Sequence, residues 1–287
     1  MMSRKNSKGV SKLVSFIKYT FLIILSFVSI FPFIWMIIAT TNKSVDVTRG
    51  TLIPGSYFFD NLKNLLASDL KYTVAFKNSL IIAVITTALA MLVSSLAGYA
   101  FEIYKTKTRD KIFNFILLSM MVPFAALIVP LFRLFSKMNN IPGLKGISLN
   151  THGAVIIISV ATAFLIFFFR QNTKTFPKDL MEAARIDGLG ELAIFFRIYM
   201  PTMKSTYAAA TIVTFMASWN SYLWPLIALQ SPDKRTLPLV ISALGSSYTP
   251  DYGMIMTAVV IATLPTALIF FLMQKHFVAG MTGSIKG

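Results

Sequence analysis

The 287 residues are 55% hydrophobic and 13% charged, with a mean hydropathy of +0.69, where a soluble domain carries about 25% charged residues. Twenty-seven basic against eleven acidic residues give a formal charge of +16, and cysteine is absent, which excludes disulfides, thiolate metal sites and Cys nucleophiles. A soluble nucleic-acid binder is basic and polar, whereas this chain is basic and apolar, so an integral membrane protein with basic flanks fits and a nucleic-acid partner does not.

Uncharged runs occupy 19–42, 78–101, 112–132, 146–169, 205–232 and 252–274, with lengths of 24, 24, 21, 24, 28 and 23 residues. A helix rises about 1.5 Å per residue and the hydrocarbon core is about 30 Å thick, so about 20 residues suffice to cross. The composition therefore predicts an all-α, six-helix integral membrane bundle. Residues 1–18 form a basic N-terminus carrying Arg4, Lys5, Lys8, Lys12 and Lys18. The first run exceeds the roughly 7–15 apolar residues of a cleaved signal and reads as a retained anchor, kinked by Pro32. Residues 146–152 read as loop, which places the fourth span at about 152–170, and the fifth falls at about 205–230. Six spans put both termini on one side. The segments on that side, 1–18, 102–111, 170–204 and 275–287, hold seventeen Lys and Arg against ten elsewhere, which orients both termini to the cytoplasm.

No Asp, Glu, Lys or Arg falls in the central part of any span. Ion-coupled carriers need ionisable groups there, so an ion-coupled secondary transporter is the weaker alternative and a neutral, polar solute the better cargo. No G-x-x-x-x-G-K-[ST] phosphate loop occurs, so energy for uphill transport must come from another polypeptide and this chain binds no cofactor. His152 and His276 sit at span ends without a nucleophile–base spacing, which leaves no catalytic residue and no metal site. Small residues recur every fourth position at Thr86, Ala90, Ser94, Gly98 and at Thr206, Ala210, Thr214, Ser218. These stripes read as faces for close helix packing.

The inner loop 171–204 carries the most information. Pro177 suits a helix start, and 178–187 reads as a short helix closed by Gly188. Leu180, Ala183, Ala184 and Asp187 fall near one face, Glu182 and Arg185 near another. Gly190 opens a second helical piece with an apolar stripe of Leu192, Phe195, Phe196 and Tyr199, and Pro201 precedes the fifth span. The pattern is an amphipathic helix–turn–helix lying against the membrane, with Glu182 and Arg185 spaced for a local pair.

Glu182-Ala183-Ala184, followed by Asp187-Gly188, Gly190, Ile198 and Pro201, resembles the EAA motif of bacterial ABC-importer permeases. Trp219-Asn220, Leu223-Trp224-Pro225-Leu226 and Thr236-Leu237-Pro238 resemble the fifth span and following loop of the maltose-type carbohydrate permeases. Asn61-Leu62-Lys63-Asn64-Leu65 in the first outer loop, and the tail Gln274-Lys275-His276-Phe277-Val278 with Gly280, Gly283 and Ile285-Lys286-Gly287, fit the same subfamily. The chain is most similar to its shorter permease subunit, with a Gly-rich tail. The resemblance implies a type I importer fold in which Glu182, Ala183, Ala184, Asp187, Gly188 and Gly190 form a coupling helix that docks in a groove of the ATPase. It implies a second homologous permease, two ATPase subunits that use ATP and Mg, an extracytoplasmic solute-binding protein, and a sugar as cargo in the bacterial cytoplasmic membrane. Another neutral or polyol-type solute is the alternative. Gly283, Lys286 and Gly287 either reach the ATPase or form a polar terminus. Trp219, Asn220, Tyr222 and Trp224 either anchor a span at the interface or line the translocation path.

Overall fold

Proline and polar residues decide where the uncharged runs stay straight. The computed structural model describes residues 3–283, and all regular structure among them is helical. In chain order the helices are α1 (Ser3–Ala39), α2 (Phe58–Ala67), α3 (Tyr72–Ile103), α4 (Lys107–Leu118), α5 (Phe124–Met138), α6 (His152–Val160) and α7 (Ala163–Thr173). There follow α8 (Lys178–Ile186), α9 (Glu191–Ile194), α10 (Lys204–Trp219), α11 (Leu223–Ala228), α12 (Leu237–Gly245) and α13 (Tyr252–Gly283).

Four stretches among the described residues are long and apolar enough to cross a membrane: Val14–Ala39, Tyr72–Ile103, His152–Thr173 and Tyr252–Lys275. They coincide with the first, second, fourth and sixth uncharged runs. Helix α1 continues through Pro32. The fourth run is itself interrupted between Val160 and Ala163, and the other two runs are broken more severely. The third, 112–132, breaks at Val122–Pro123, and the two halves meet at 103°. Pro123 supplies no N–H and holds Val122 in an extended conformation, φ −81° and ψ 116°, as the residue before proline prefers. The fifth run, 205–232, stops being helical at Trp219 and resumes at Leu223. Its longer piece, α10, has 16 residues, about 24 Å at 1.5 Å per residue and short of the bilayer core.

Two compact units are formed by the chain. In the unit made of residues up to 67 with 244–261, the end of α1 is tied down by side-chain amides. Asn61 of α2, buried, donates from Nδ2 to the carbonyls of Thr40 (2.9 Å) and Asn42 (3.0 Å). Asn42 in turn donates to Ile53 O at 3.0 Å. The Asn61–Leu65 segment is thus a clamp, with Leu65 fully enclosed beneath it.

The unit made of 68–243 and residues from 262 on is built around α3, which packs against α6, α7 and α10. Thr86, Ala90, Ser94 and Gly98 are all buried along it. A Cβ on Gly98 would stand 2.6 Å from Phe169 Cβ and 2.7 Å from Arg170 N, so α3 and α7 approach too closely here for any larger residue. In the first stripe Ala90, Ser94 and Gly98 form a packing face, and Thr86, also buried, stands beside a small cleft. The second divides: Thr206 and Ala210 are buried, whereas Thr214 and Ser218 are half-buried. The loop before α12 is fastened to the start of α3. There Asn78 Nδ2 donates to the carbonyls of Asp233 (2.8 Å) and Arg235 (3.0 Å), and Leu237 N donates to Ser79 Oγ (2.7 Å).

Candidate functional site

Helix α8 forms where the sequence places it. Pro177 precedes its first residue with φ −66°, and the helix ends at Ile186. The stop is a Schellman turn: Gly188 N donates to Arg185 O and Leu189 N to Ala184 O, both at 3.0 Å. Gly188 carries the left-handed φ of +79° that this turn needs.

The helix is held to the body of the protein by its inner face. Met181 and Ala184 pack into a cluster with Tyr99, Phe176, Ile194, Phe195, Tyr199 and Met203, and Leu189 covers it. Three aromatic rings fill the centre, with Tyr99 and Tyr199 4.8 Å apart and Phe195 and Tyr199 5.3 Å apart. The Tyr199 hydroxyl lies 2.6 Å from Thr173 Oγ1. Burial pushes the pKa of Tyr199 up to about 12, so its O–H remains a hydrogen-bonding group at any working pH.

The piece after Gly190 departs from the expected stripe. Residues Glu191–Ile194 are α-helical, Phe195–Tyr199 form a π turn, and Met200–Thr202 resume the helix. Phe195 and Tyr199 point inward, joined by Ile194, while Leu192 and Phe196 are exposed. A π turn holds more residues per turn than an α-helix, so a stripe drawn at α-helical spacing drifts out of phase.

The candidate coupling residues fall into two roles. Ala184 is buried and serves the helix seat. Glu182, Ala183, Asp187, Gly188 and Gly190 are exposed. Ile186, 87% exposed, lies on the same outer face as Glu182 and Ala183. Arg185 does not pair with Glu182. Its Nε sits 2.8 Å from Glu191 Oε1, and the Tyr104 hydroxyl donates to the other oxygen of Glu191. These two donors hold the Glu191 carboxyl below the usual carboxylate range. Glu182 has no hydrogen-bond or ion-pair partner among the described residues.

A second ionic cluster braces the segment from behind and was not visible in the sequence. Arg170, at the end of α7, donates from Nε to Glu102 Oε2 (3.2 Å) and from a terminal nitrogen to Asp110 Oδ1. Its guanidinium lies 4.1 Å from the centre of the Phe113 ring. These contacts join the ends of α3 and α7 to the first turns of α4.

The family model for the inner membrane component of binding-protein-dependent transport systems matches residues 95–283, a range that contains the whole of this site. The chain belongs to this permease family. It is therefore a multi-pass membrane component of a transport system that operates with a solute-binding protein. The chain is similar to the lactose transport system permease protein LacG of Rhizobium radiobacter, 50% identical over 96% of this chain and 97% of that protein. It is also similar to the arabinooligosaccharides transport system permease protein AraQ of Halalkalibacterium halodurans, 36% identical over the full length of both. The same fold occurs in the crystal structure of a bacterial ABC transporter involved in import of the acidic polysaccharide alginate. That likeness has a TM-score of 0.80 at 19% identity, covering 93% of this chain and 98% of that one.

Within the permease, two of the four candidate path residues serve packing. Trp219 is enclosed between Phe76 and Phe215, and its Nε1 donates to Ala262 O at 3.0 Å. Trp224 is enclosed against Phe135, with Nε1 donating to Ala154 O at 2.9 Å. Asn220 is exposed and turns its Nδ2 back to Met216 O. Tyr222 is exposed, its hydroxyl 3.2 Å from Ser242 Oγ. Of the tail residues, Gly283 ends α13, and Lys286 and Gly287 lie outside the described residues.

Proposed function

We propose that this chain is one of two permease subunits of an ATP-binding-cassette importer for a neutral disaccharide or short oligosaccharide. Its partners are a homologous permease, two ATPase subunits and an extracytoplasmic binding protein, with both of its own termini in the cytoplasm. The observation that carries the coupling half of this reading is the outer face of α8. There Glu182 stands exposed and unpaired beside Ala183 and an almost fully exposed Ile186, on a helix whose opposite face is anchored in an aromatic cluster. A rigidly seated helix with an unused carboxylate and an apolar knob can transmit a push or pull from a docked subunit. ATP binding closes the ATPase pair, moves α8 and its counterpart, and shifts the permeases between inward- and outward-facing states. The cargo half rests on the relatives named for lactose and arabino-oligosaccharides and on spans that lack ionisable groups centrally.

Reconstitution of the four-component system tests both halves. Labelled lactose should enter vesicles in an ATP-dependent, binding-protein-dependent manner. Glu182→Lys should abolish that uptake while the protein remains in the membrane. Undiminished uptake by Glu182→Lys with the ATPase still co-purifying would sink the coupling role. Uptake of sn-glycerol 3-phosphate in preference to any neutral sugar would replace the cargo.

A further inference from the structure

Two helix interruptions meet at one place. Helix α6 ends at Val160 and α7 begins at Ala163, and α10 ends at Trp219 before α11 begins at Leu223. A cleft of about 140 Å³ opens there, lined by Thr86 of α3, Ser159 of α6, Thr162 at the head of α7, Thr214 and Ser218 of α10, and Ser221 in the second interruption. Non-helical backbone inside a bilayer persists only where protein buries it or where it borders a water-filled space, so converging interruptions mark a polar passage.

Apart from Thr162, which caps α7, the hydroxyls of this cleft are unpaired among the described residues. Serines and threonines within helices usually return their hydroxyl to a carbonyl one turn back. Ser29, Thr173, Thr202 and Thr257 all do so here, at 2.7 to 2.9 Å. In the cleft, the side chains of Ser159, Thr214, Ser218 and Ser221 make no hydrogen bond among the described residues. Thr86 is the sharpest case, because it is 1% exposed and its Oγ1 has no partner. A buried hydroxyl left unpaired is destabilising, and a bound ligand hydroxyl would remove that cost. The lining carries no charged residue, and Phe164 and Val213 supply an apolar wall. A phosphate or carboxylate would enter without a counter-ion, which is costly.

We infer that this permease holds its own solute subsite in this cleft, one that takes a ring of an uncharged polyhydroxylated solute through Thr86, Ser159, Thr214 and Ser218. The inference rests on the importer reading above and adds that this chain, and not only its partner permease, touches the cargo. The end of the second small-residue stripe is then lining rather than packing.

The absence of cysteine provides a clean test in the assembled importer. Ser218→Cys and, as control, exposed Ser247→Cys are exposed to a small hydrophilic thiol reagent, and modification is read on this chain. The probes are lactose, an arabinotriose and sn-glycerol 3-phosphate. With a transported sugar at about twice its half-saturating concentration, labelling of Ser218→Cys should slow about threefold, with Ser247→Cys unaffected. Thr86→Val should raise the half-saturating sugar concentration about fivefold, leaving stability equal or higher because the orphan hydroxyl is gone. Failure of Ser218→Cys to react, an unchanged rate with a transported sugar present, or a Thr86→Val importer of normal half-saturation would overturn the subsite while leaving the importer reading intact. Protection by sn-glycerol 3-phosphate alone would overturn its neutral character. Transport of none of the three would remove the reading on which it rests, and the inference with it.

Discussion

Replacing Arg170 should be the most damaging single change where α3, α4 and α7 meet. Its side chain is 8% exposed, and its partners Glu102 and Asp110 are 12% and 34% exposed. Arg170→Met keeps the packed stem and removes the charge. Glu102 is then a carboxylate without a counter-ion, in a site too enclosed to hydrate it, at a cost of about 3 kcal/mol. Asp110 recovers water and adds little. Loss of the guanidinium from the Phe113 ring, 4.1 Å away, adds about 1 kcal/mol. The single variant should therefore lose about 3–4 kcal/mol in an unfolding titration of the detergent-solubilised protein followed by helical circular dichroism. The triple variant Arg170→Met, Glu102→Gln, Asp110→Asn should recover most of that loss, since replacing a whole buried ionic set is often close to neutral. A single variant within about 0.5 kcal/mol of the parent, or a triple variant no more stable than the single, would refute the argument.

Two glycines give further checks. Gly98→Ala places a methyl 2.6 Å from Phe169 Cβ and should destabilise by about 1–3 kcal/mol in the same titration, because two backbones must separate; an unchanged midpoint would count against tight α3–α7 contact. Gly188→Ala keeps the chain composition nearly constant but strains a φ of +79° by about 1 kcal/mol. Opening of α8 should then make trypsin cleavage after Arg185 about fivefold faster, and parental cleavage kinetics would argue that this turn is not stressed.

Features fixed by neighbours in the chain were legible from residue order. Helix α8 and its Schellman turn depend on Pro177, a short amphipathic pattern and Gly188, all within 12 residues, and the structure reproduces them. The membrane character of the chain was equally plain, because it follows from the length of uncharged runs. What was hidden depends on distant partners. Arg170 meets Asp110 and Glu102 across 60 and 68 residues, and nothing local distinguishes it from any other basic residue flanking a span. Hydropathy is also blind to a change of chain direction, so the 103° bend at Val122–Pro123 lay inside a run that looked continuous, although Pro123 was the available signal. The tryptophans are ambiguous for a related reason. An indole near a span end looks alike whether it faces lipid, solute or a carbonyl across the bundle, and here both candidates bond to carbonyls at Ala154 and Ala262.

The distribution of acids over 102–110 and 179–191 separates residues that hold the chain together from residues that face outward. Glu102, Asp110 and Glu191 are engaged by Arg170 and Arg185. Asp179, Glu182 and Asp187 make no ion pair among the described residues, and all three lie on exposed positions of α8 or its C-terminal turn. A single exposed apolar side chain means little. Here, however, Ile186 stands among these carboxylates, with Ala183 one turn before it and Leu192 exposed beyond the Gly188 turn. With the proposed orientation α8 lies beside the cytoplasmic leaflet, which carries negative charge and attracts Lys and Arg, so an apolar strip edged with unpaired carboxylates is poorly suited to lie on it. The same strip suits a protein groove with an apolar floor and a cationic rim. The outer face of α8 is thus better matched to the docked subunit proposed above than to the lipid surface, and the exposed Glu182 is the residue whose charge reversal would tell the two apart.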